Sequence, residues 1–471
     1  MNTIILRRLF PWGALFLFSL SLHCAGTWIL PLIDRDEPWY AEVSREMNER
    51  HDPVVPYFNN RFWLEKPPLL FWCQSLSYRI FGENEFAARF PSALATALTA
   101  LVILGFCTSL YNRSTAWRAA IMFVLCLQML ILGKLGVTDM LMVLFTTLAA
   151  WAGWELYRNG AAKRWWWIFY LSLAGAALAK GPLAVIPPGT MVVFGLWSQQ
   201  PGVLRTMKFG RGLLLAMFVT ALWFVPVLIL THGEFFKIFV TQQVVERTLA
   251  PSDGHGASRA LTYFATLPFY FLTVLVSFLP WSFYFSATWR RLKTQRSSPD
   301  LYLLSGILLT FCLFTLARTK LPHYTLPAFP LIACAVAASI PQKRFLQLAT
   351  GMTFLNFAIA FLLFPLAARY AVAPQLAASP LLRDGMEIAV VDYHEPSLVW
   401  YLRGHTKSWL TEIQPGEVEG FMKKSGPRIC ILPAKIATQI PVDTDCDIET
   451  AKGFNITKGK PVELLMLGKS R

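Results

Sequence analysis

The sequence predicts a polytopic α-helical membrane protein with a small α/β domain at its C-terminal end. Of 471 residues, 55% are hydrophobic and only 15% are charged, whereas soluble domains carry about 25% charge. The apolar residues form runs of roughly 17–25, the length that crosses a bilayer. After residue 370 the long runs give way to shorter apolar segments separated by polar ones, which indicates a separate folded domain.

About eleven membrane spans are expected, each an apolar run between polar connections. Arg7 and Arg8 precede the first run as they would in a signal peptide. That run is long, and no small-residue cleavage site follows it, so we expect a retained helix. The expected spans are 9–30, 92–110, 116–133, 137–157, 165–180, 182–197, 210–230, 263–286, 301–317, 323–340 and 345–366.

The basic residues predict the orientation. With the N-terminus in the cytoplasm, every inner loop carries Lys or Arg and almost no acid, as the positive-inside rule requires. This distribution accounts for the net charge of +15 and argues against nucleic-acid binding, because no basic stripe or nucleic-acid motif is present. The loop 31–91, the loop 231–262 and the tail 371–471 are then expected to lie outside.

The outer segments carry patterns of their own. In the first loop, helical spacing at 40–47 and an apolar, aromatic stretch at 69–81 predict two interfacial amphipathic helices. In the tail, strands are expected at 387–393, 428–432 and 462–466, and a helix at 397–403. We therefore expect a membrane domain over 1–370 and an α/β domain over 371–471. Whether Cys430 and Cys446 form a disulfide is left open by the sequence.

Ionisable residues at the ends of the apolar runs are the candidates for function. In the predicted topology all of them fall on the outer side, although they come from six separate segments. Lys and Arg at helix ends also serve as interfacial anchors, but anchoring does not explain Asp139, a lone acid in an apolar run. Acids offer a general base and cations bind phosphate. Since nucleotides are scarce outside the cell, a lipid-linked phosphate donor is the simplest substrate.

The segments around these residues resemble the signature segments of GT-C glycosyltransferases. The resemblance is closest to the bacterial aminoarabinose transferases of lipid A, which are similar to the protein O-mannosyltransferases. The matching segments are Asp36-Glu37-Pro38-Trp39-Tyr40-Ala41-Glu42, Phe62-Trp63-Leu64-Glu65-Lys66-Pro67-Pro68-Leu69, Thr138-Asp139-Met140, Ala179-Lys180-Gly181-Pro182 and 318–327. The tail segment 391–398 also looks like the outer domain of this branch.

The resemblance implies a polyprenyl (undecaprenyl) phosphate sugar donor and an acceptor at the periplasmic face of a bacterial inner membrane. It implies Asp36 and Asp139 as catalytic residues. The expected donor-binding residues are Glu37, Tyr40, Glu65, Lys66, Lys180, Arg247, Arg318, Lys320, His323 and Tyr324. Two positions depart from the family pattern: Trp39 stands where Arg is frequent, and the stretch 242–244 lacks the usual His. These departures leave the identity of donor and acceptor open.

The expected reaction is an inverting displacement in which Asp36 takes a proton from an acceptor hydroxyl, or orients the acceptor if it is a phosphate that needs no base. Lipid A or another envelope glycolipid is the expected acceptor, with Ser or Thr of a protein as the alternative. A divalent cation near Asp36, Glu65 or Asp139 is compatible with these acids, but their spacing does not require one. A flippase for lipid-linked sugars is the rival class; it needs a polar path across the bilayer, whereas these charges lie on one side. A non-catalytic sensor leaves the acidic cluster of the first loop unexplained.

Overall fold

The structure, a computed structural model, describes residues 2–160, 163–200, 202–246, 266–437, 446–456 and 458–469. Helices dominate up to residue 377. In chain order they are α1 Asn2–Cys24, α2 Asp36–Arg50, α3 Leu69–Phe81, α4 Glu85–Leu110, α5 Arg113–Leu125, α6 Leu127–Leu132, α7 Asp139–Asn159, α8 Lys163–Lys180, α9 Ile186–Trp197, α10 Gly202–Met207, α11 Phe209–Leu230, α12 Phe269–Ser277, α13 Phe285–Thr294, α14 Ser298–Leu316, α15 Phe329–Ala337, α16 Gln342–Ala358, α17 Phe364–Ala368 and α18 Val372–Ala377.

Strands appear in two places. A hairpin follows α2, and a mixed five-stranded sheet of order β4-β3-β5-β7-β6 follows α18. In that sheet β4, β3 and β5 are parallel, while β7 runs antiparallel to both β5 and β6. The strands are β1 Tyr57–Phe58, β2 Arg61–Phe62, β3 Glu387–Val390, β4 Thr411–Glu412, β5 Arg428–Pro433, β6 Asp447–Asn455 and β7 Lys460–Lys469, and the helices between them are α19 Pro396–Leu402, α20 Val418–Lys423 and α21 Ala434–Ala437.

The chain forms two compact units. Unit 1 comprises Met1–Ala25, Leu64–Cys73 and Arg89–Phe357, and unit 2 comprises Gly26–Trp63, Gln74–Ala88 and Ala358–Arg471. The first outer loop therefore belongs largely to the same unit as the tail. The expected boundary at residue 370 separates a membrane domain from an α/β domain, each of which would fold independently. This boundary stays a prediction.

Within the described residues, six helical stretches are long and apolar enough to cross a membrane, or seven if a bent pair counts as one. The stretch Lys163–Trp197 consists of α8, the 3₁₀ turn Gly181–Val185 and α9. The ring centre of Phe194 in α9 lies 5.0 Å from that of Tyr157, near the end of α7. Trp166, near the start of α8, donates its indole N–H to the carbonyl of Met207, which follows α9. Both contacts bring the end of α9 back to the level where α8 begins, so α8 and α9 form an antiparallel hairpin.

Three expected spans are interrupted. The span 116–133 breaks at Cys126, whose extended backbone separates α5 from α6. The span 263–286 bends by 113° between α12 and the helical residues from Trp281, where Pro280 supplies no N–H to continue the helix. The span 323–340 begins as a 3₁₀ helix over Pro322–Ala328. An extended residue, a bend at a proline and a 3₁₀ turn therefore interrupt apolar runs that the hydropathy pattern predicts as continuous spans.

Unit 2 is organised around the five-stranded sheet. Alternate residues of β3 and β5 enter different cores: Ile388 and Ile429 pack with α18 and α19 on one face, while Ala389 and Cys430 pack with α20 on the other. This alternation is the period-2 pattern of a strand whose two faces are both covered. The strands expected at 387–393, 428–432 and 462–466 correspond to β3, β5 and β7. Cys430 and Cys446 are thiols rather than a disulfide.

An ionic cluster attaches α2 to the tail within unit 2. Glu42 and Glu46 are fully buried, and both face Arg403, which also contacts Glu49. The Arg403 guanidinium lies 4.1 Å above the Trp409 ring, and Arg45 supplies Glu42 with a second partner. Charges buried in this way require partners. As a result α2 is buried around most of its circumference, unlike the one-sided interfacial helix that its sequence suggests.

Candidate active site

An ion pair between Asp139 and Lys180 forms the centre of the candidate site in unit 1. Asp139 begins α7 and Lys180 ends α8, and the Lys180 Nζ lies 2.6 Å from the Asp139 carboxylate. An acid at a helix start and a base at a helix end both complement the helix dipole. Gly181 turns the chain directly after Lys180 with φ of +67°, a conformation that favours glycine. The α8–α9 reversal thus fixes the position of the lysine.

Further basic and aromatic side chains surround this pair. Lys66 and His323 lie within electrostatic range of the Asp139 carboxylate, together with Lys180. Lys180 Nζ lies 5.9 Å from the centre of the Tyr324 ring, within reach of a cation–π contact. Tyr324 in turn meets His323 edge to face at 5.3 Å. Four segments that are distant in sequence therefore contribute to one site.

Glu65 and Lys66 enter the same site through Gln243. The Lys66 Nζ donates to the Gln243 Oε1 at 3.3 Å, and the Gln243 Nε2 donates to Glu65 at 3.2 Å. Gln243 lies in a π-helical stretch, Phe236–Glu246, and π-helical turns occur frequently at functional sites. Although the stretch 242–244 lacks the His that is frequent in the family, the Gln243 amide still supplies a polar group to the site. It bridges Glu65 and Lys66.

These residues line a pocket of about 160 Å³ in unit 1. Its polar wall holds two ammonium groups, one carboxylate, one amide and one phenol, and the remaining wall is apolar. The lining residues are Glu65, Lys66, Lys180, Pro182, Leu183, Phe239, Gln243, Phe314, Ala317 and Tyr324. Two lysines converging on a small pocket suit a phosphate-sized anion. The apolar residues suit a hydrocarbon chain attached to it.

Lys320 and Arg318 do not line this pocket. Lys320 is 5% exposed, and its Nζ donates to the carbonyls of Phe314 and Thr315 in the last turn of α14. It therefore caps the end of a helix, where carbonyls otherwise lack partners, and its burial lowers its pKa. Arg318 is exposed, and Arg247 lies outside the described residues.

Three of the five expected residues of the first outer loop, Asp36, Glu37 and Tyr40, belong to unit 2. Asp36 is exposed at the start of α2 and accepts a hydrogen bond from the Tyr40 hydroxyl at 3.3 Å. The Tyr40 ring packs edge to face against Trp63 at 5.6 Å, which fixes that hydroxyl. Glu37 is buried and accepts from the Ile33 N–H at 3.0 Å. Glu37 therefore stabilises the turn before α2, while Asp36 presents its carboxylate outward.

No group of three or more His, Cys, Asp or Glu side chains suited to a metal ion occurs among the described residues. The expected acids Asp36, Glu65 and Asp139 each have a protein hydrogen-bond or ion-pair partner.

Comparison with solved structures identifies the fold. A crystal structure of ArnT from Cupriavidus metallidurans bound to undecaprenyl phosphate superimposes with a TM-score of 0.80, covering 98% of each chain at 18% identity. The chain has the GT-C fold of this transferase. An Archaeoglobus fulgidus oligosaccharyltransferase is similar with a TM-score of 0.52 at 14% identity, covering 89% of this chain and 67% of that one.

Sequence comparison agrees with the GT-C fold. An "undecaprenyl phosphate-alpha-4-amino-4-deoxy-L-arabinose arabinosyl transferase" of Aeromonas hydrophila is 31% identical over 335 residues, which cover 69% of this chain and 59% of that protein. A Yersinia pestis protein of the same description is 29% identical over 334 residues, covering 68% and 58%. The family model "dolichyl-phosphate-mannose-protein mannosyltransferase" matches residues 65–229. The chain is thus similar to aminoarabinose transferases, and it spans less than two thirds of these relatives' length.

Sequence reasoning missed the apolar half of the pocket. Phe314 lies in the expected span 301–317 and Phe239 in the expected outer loop 231–262, and no local signal separates either from its apolar neighbours. Gln243 carries a detectable signal, since it is a polar residue in a largely apolar helical stretch. Its role as a bridge depends on contacts across about 180 positions of chain, which only the fold supplies.

Proposed function

We propose that this protein is an integral membrane glycosyltransferase that moves a sugar from a polyprenyl phosphate to an acceptor at the extracytoplasmic face. The observation that carries the proposal is the lysine-lined pocket of unit 1, with an apolar wall beside its charged one. The GT-C fold and the similarity to aminoarabinose transferases support it. Undecaprenyl phosphate is the proposed carrier, and an envelope glycolipid such as lipid A is the proposed acceptor.

The proposed topology has about eleven crossings in a bacterial inner membrane. The N-terminus is cytoplasmic, and the pocket and the sheet of unit 2 are periplasmic. Basic residues in the predicted inner loops support this orientation through the positive-inside rule. The α8–α9 hairpin is consistent with two separate crossings, at 165–180 and 182–197.

In the proposed reaction, Lys66 and Lys180 hold the phosphate of the donor. The acceptor oxygen forms a bond to the anomeric carbon while the bond from that carbon to the phosphate oxygen breaks. The electron pair of the broken bond leaves with the phosphate, so polyprenyl phosphate is released and the configuration inverts. Charge grows on the leaving oxygen, and fixed cations stabilise it most in the transition state.

Asp36 is the proposed general base, which receives the proton of the acceptor hydroxyl. Its carboxylate is exposed and is oriented by the Tyr40 hydroxyl, and a positioned base contributes roughly 10²–10⁴-fold to rate. Asp139 is the proposed partner that orients Lys180, since their atoms lie 2.6 Å apart. Tyr324 and His323 complete the donor site in this scheme.

Transfer of a sugar to Ser or Thr of a protein is the second candidate. It is favoured by the match of residues 65–229 to the mannosyltransferase family model. The two candidates share the donor and the reaction, and they differ only in the acceptor.

The test is a transfer assay in proteoliposomes with radiolabelled polyprenyl-phosphate sugar. Wild-type protein is expected to move label to a glycolipid acceptor and to release polyprenyl phosphate. Lys66→Met should reduce transfer strongly, whereas Lys469→Met, a lysine on β7 of unit 2, should not. Movement of the labelled lipid across the bilayer without transfer would instead establish a flippase and refute the proposal.

A further inference from the structure

An apolar groove lies in unit 1, apart from the lysine-lined pocket. Its volume is about 300 Å³, and it runs between α12, α13, α14 and α15. Thr288 is the polar residue of its lining, and the other lining residues are apolar or aromatic. Phe271, Trp289 and Leu308 line the groove and are 59%, 57% and 45% exposed. Within the described part of the chain, the groove is therefore open to its surroundings.

Helix α13 forms one wall of the groove and is amphipathic. Its lining residues are spaced i, i+3, i+4 and i+7, so they share one face of the helix. They are Phe285, Thr288, Trp289 and Leu292. The chain bends by 113° between α12 and the helical residues from Trp281, so α13 does not continue the direction of the span. An amphipathic helix turned away from a span is typical of the interface between hydrocarbon and water.

An ionic contact fixes α13 at the end of the groove. The Arg291 guanidinium donates to the Asp300 carboxylate at 2.8 Å and to the Ser339 hydroxyl at 3.2 Å. Asp300 also accepts from the Tyr111 hydroxyl at 2.5 Å and from the Ser297 N–H at 3.0 Å. Arg291 and Asp300 therefore neutralise each other and hold α13 against the start of α14.

Three further bases lie at this end of the groove, and all are exposed. They are Arg290, Lys293 and Arg296. The segment 285–299 contains four bases and no acid. The Lys293 Nζ lies 5.1 Å from the centre of the Trp289 ring, and the Arg296 guanidinium lies 5.7 Å from that of Trp197. Because Trp is enriched at the level of lipid head groups, positive charge and the end of an apolar groove meet at that level.

We propose that this groove binds an anionic phospholipid. An acyl chain lies in the groove, and Arg290 and Lys293 hold the head-group phosphate. Arg296 adds to the attraction from the same loop, and each base near a membrane surface strengthens binding of an anionic lipid roughly fivefold. The proposal goes beyond the proposed function, since it does not depend on sugar transfer.

This head-group site is separate from the donor pocket. The donor pocket includes Phe314 and Ala317 at the end of α14, whereas the three bases precede the start of that helix. A helix of 19 residues is about 28 Å long. Under the proposed topology the phospholipid therefore belongs to the cytoplasmic leaflet, and it is a structural or regulatory lipid rather than a sugar donor.

Ordinary features of membrane proteins account for only part of this arrangement. The positive-inside rule explains bases in an inner loop, and long basic side chains at helix ends extend towards water without binding one lipid. Neither explains an apolar groove that ends beside the bases, or a helix that the Arg291–Asp300 contact fixes there. A groove for hydrocarbon beside cations for phosphate matches the two parts of a phospholipid.

The test is photolabelling of the full chain in phosphatidylcholine nanodiscs. Each preparation contains a trace of phosphatidylglycerol or phosphatidylcholine that carries the same diazirine-bearing acyl chain. Peptide mapping should show labelling of the segments 271–274, 285–292 and 304–311, about tenfold stronger for the phosphatidylglycerol probe. Excess unlabelled phosphatidylglycerol should displace this label. Equal labelling by the two probes, or displacement by undecaprenyl phosphate but not by phosphatidylglycerol, overturns the proposal.

Matched charge variants test the head-group site. Arg290→Gln with Lys293→Gln removes one Arg and one Lys from exposed positions of α13 and should lower the labelling ratio of the two probes about tenfold. Lys163→Gln with Arg164→Gln removes the same residue types from exposed positions of α8 and should leave the ratio unchanged. A ratio that both pairs leave unchanged, or that both lower equally, overturns the role of Arg290 and Lys293.

Matched tryptophan variants test the groove. Leu308→Trp fills the groove from a lining position on α14 that is 45% exposed, and Leu313→Trp places the same side chain at a 40% exposed position of that helix outside the lining. The first should abolish labelling by both probes, and the second should preserve it. Wild-type labelling of Leu308→Trp overturns the placement of the acyl chain. The charge variants change exposed side chains alone, so their result decides the proposal even if Leu308→Trp fails to fold.

Discussion

Replacing Asp34 by Asn should stabilise this protein at neutral pH. The carboxylate is partly buried, and its pKa is raised from the ordinary value of 3.8 to about 6, first by desolvation and then by the nearby charge of Glu395. Asn removes the charge and retains an oxygen that can accept from the Ser397 N–H at the observed 3.0 Å. The substitution therefore removes a destabilising charge with little change in shape.

The magnitude follows from the two pKa values. A carboxyl whose pKa is higher in the folded than in the unfolded state favours folding when protonated, and this advantage is lost as the pH rises from 3.8 through about 6. The full difference corresponds to about 3 kcal/mol. Because water still reaches part of the side chain and screens its charge, we expect a gain of about 1–3 kcal/mol for Asn at pH 7.

The assay is thermal unfolding of the purified wild type and Asp34→Asn in the same detergent, from pH 4 to pH 8. The variant should melt a few degrees higher at pH 7, and the difference should shrink towards zero near pH 4. A variant that is less stable at pH 7, or a difference that does not depend on pH, would refute the reasoning.

Three further predictions concern the contacts that position the site. Lys180→Met leaves Asp139 buried without its partner at 2.6 Å and should lower the free energy of unfolding by about 3–5 kcal/mol. The double variant with Asp139→Asn should recover part of this loss. Additive losses in a double-mutant cycle would contradict direct pairing. Arg403→Ala should cost a similar amount, because Glu42 and Glu46 are fully buried beside it, whereas Arg383→Ala, outside this cluster, should be nearly neutral by thermal melting. Gly181→Ala should destabilise the protein by 1 kcal/mol or more, because φ is +67° and a Cβ would meet the Phe239 ring at 2.7 Å; Gly202→Ala, with open space around its Cα, is the control, and equal melting temperatures would argue against a strained turn.

Hydropathy and motif spacing predict the membrane class and the charged residues of the candidate pocket because these signals are local. Asp139, Lys180, Glu65, Lys66 and Tyr324 meet in unit 1 as the outer-face clustering suggests. The fold class is likewise visible in the length of the apolar runs, since a bilayer imposes one length on every crossing.

What the sequence does not predict depends on contacts between distant segments or on backbone breaks. Lys320 reads as a phosphate ligand, but the end of α14 brings two carbonyls to its ammonium group. Gln243 reads as a lost contact, but the π-helical stretch places it between Glu65 and Lys66. The sequence predicts a one-sided interfacial helix at 40–47, yet the tail supplies Arg403 to the acids of α2 from more than 350 positions away. The periodicity of apolar residues along the sequence does not indicate such partners.

The most direct test of the central claim is the rate of sugar transfer by Asp36→Asn. Wild type and variant are reconstituted with radiolabelled polyprenyl-phosphate sugar and a glycolipid acceptor, and Asp384→Asn, whose aspartate is 86% exposed on the tail, serves as the matched control. We predict that Asp36→Asn inserts normally and loses transfer by about 10²-fold or more, while Asp384→Asn retains the wild-type rate. Wild-type turnover by Asp36→Asn would contradict the assignment of this carboxylate as the base.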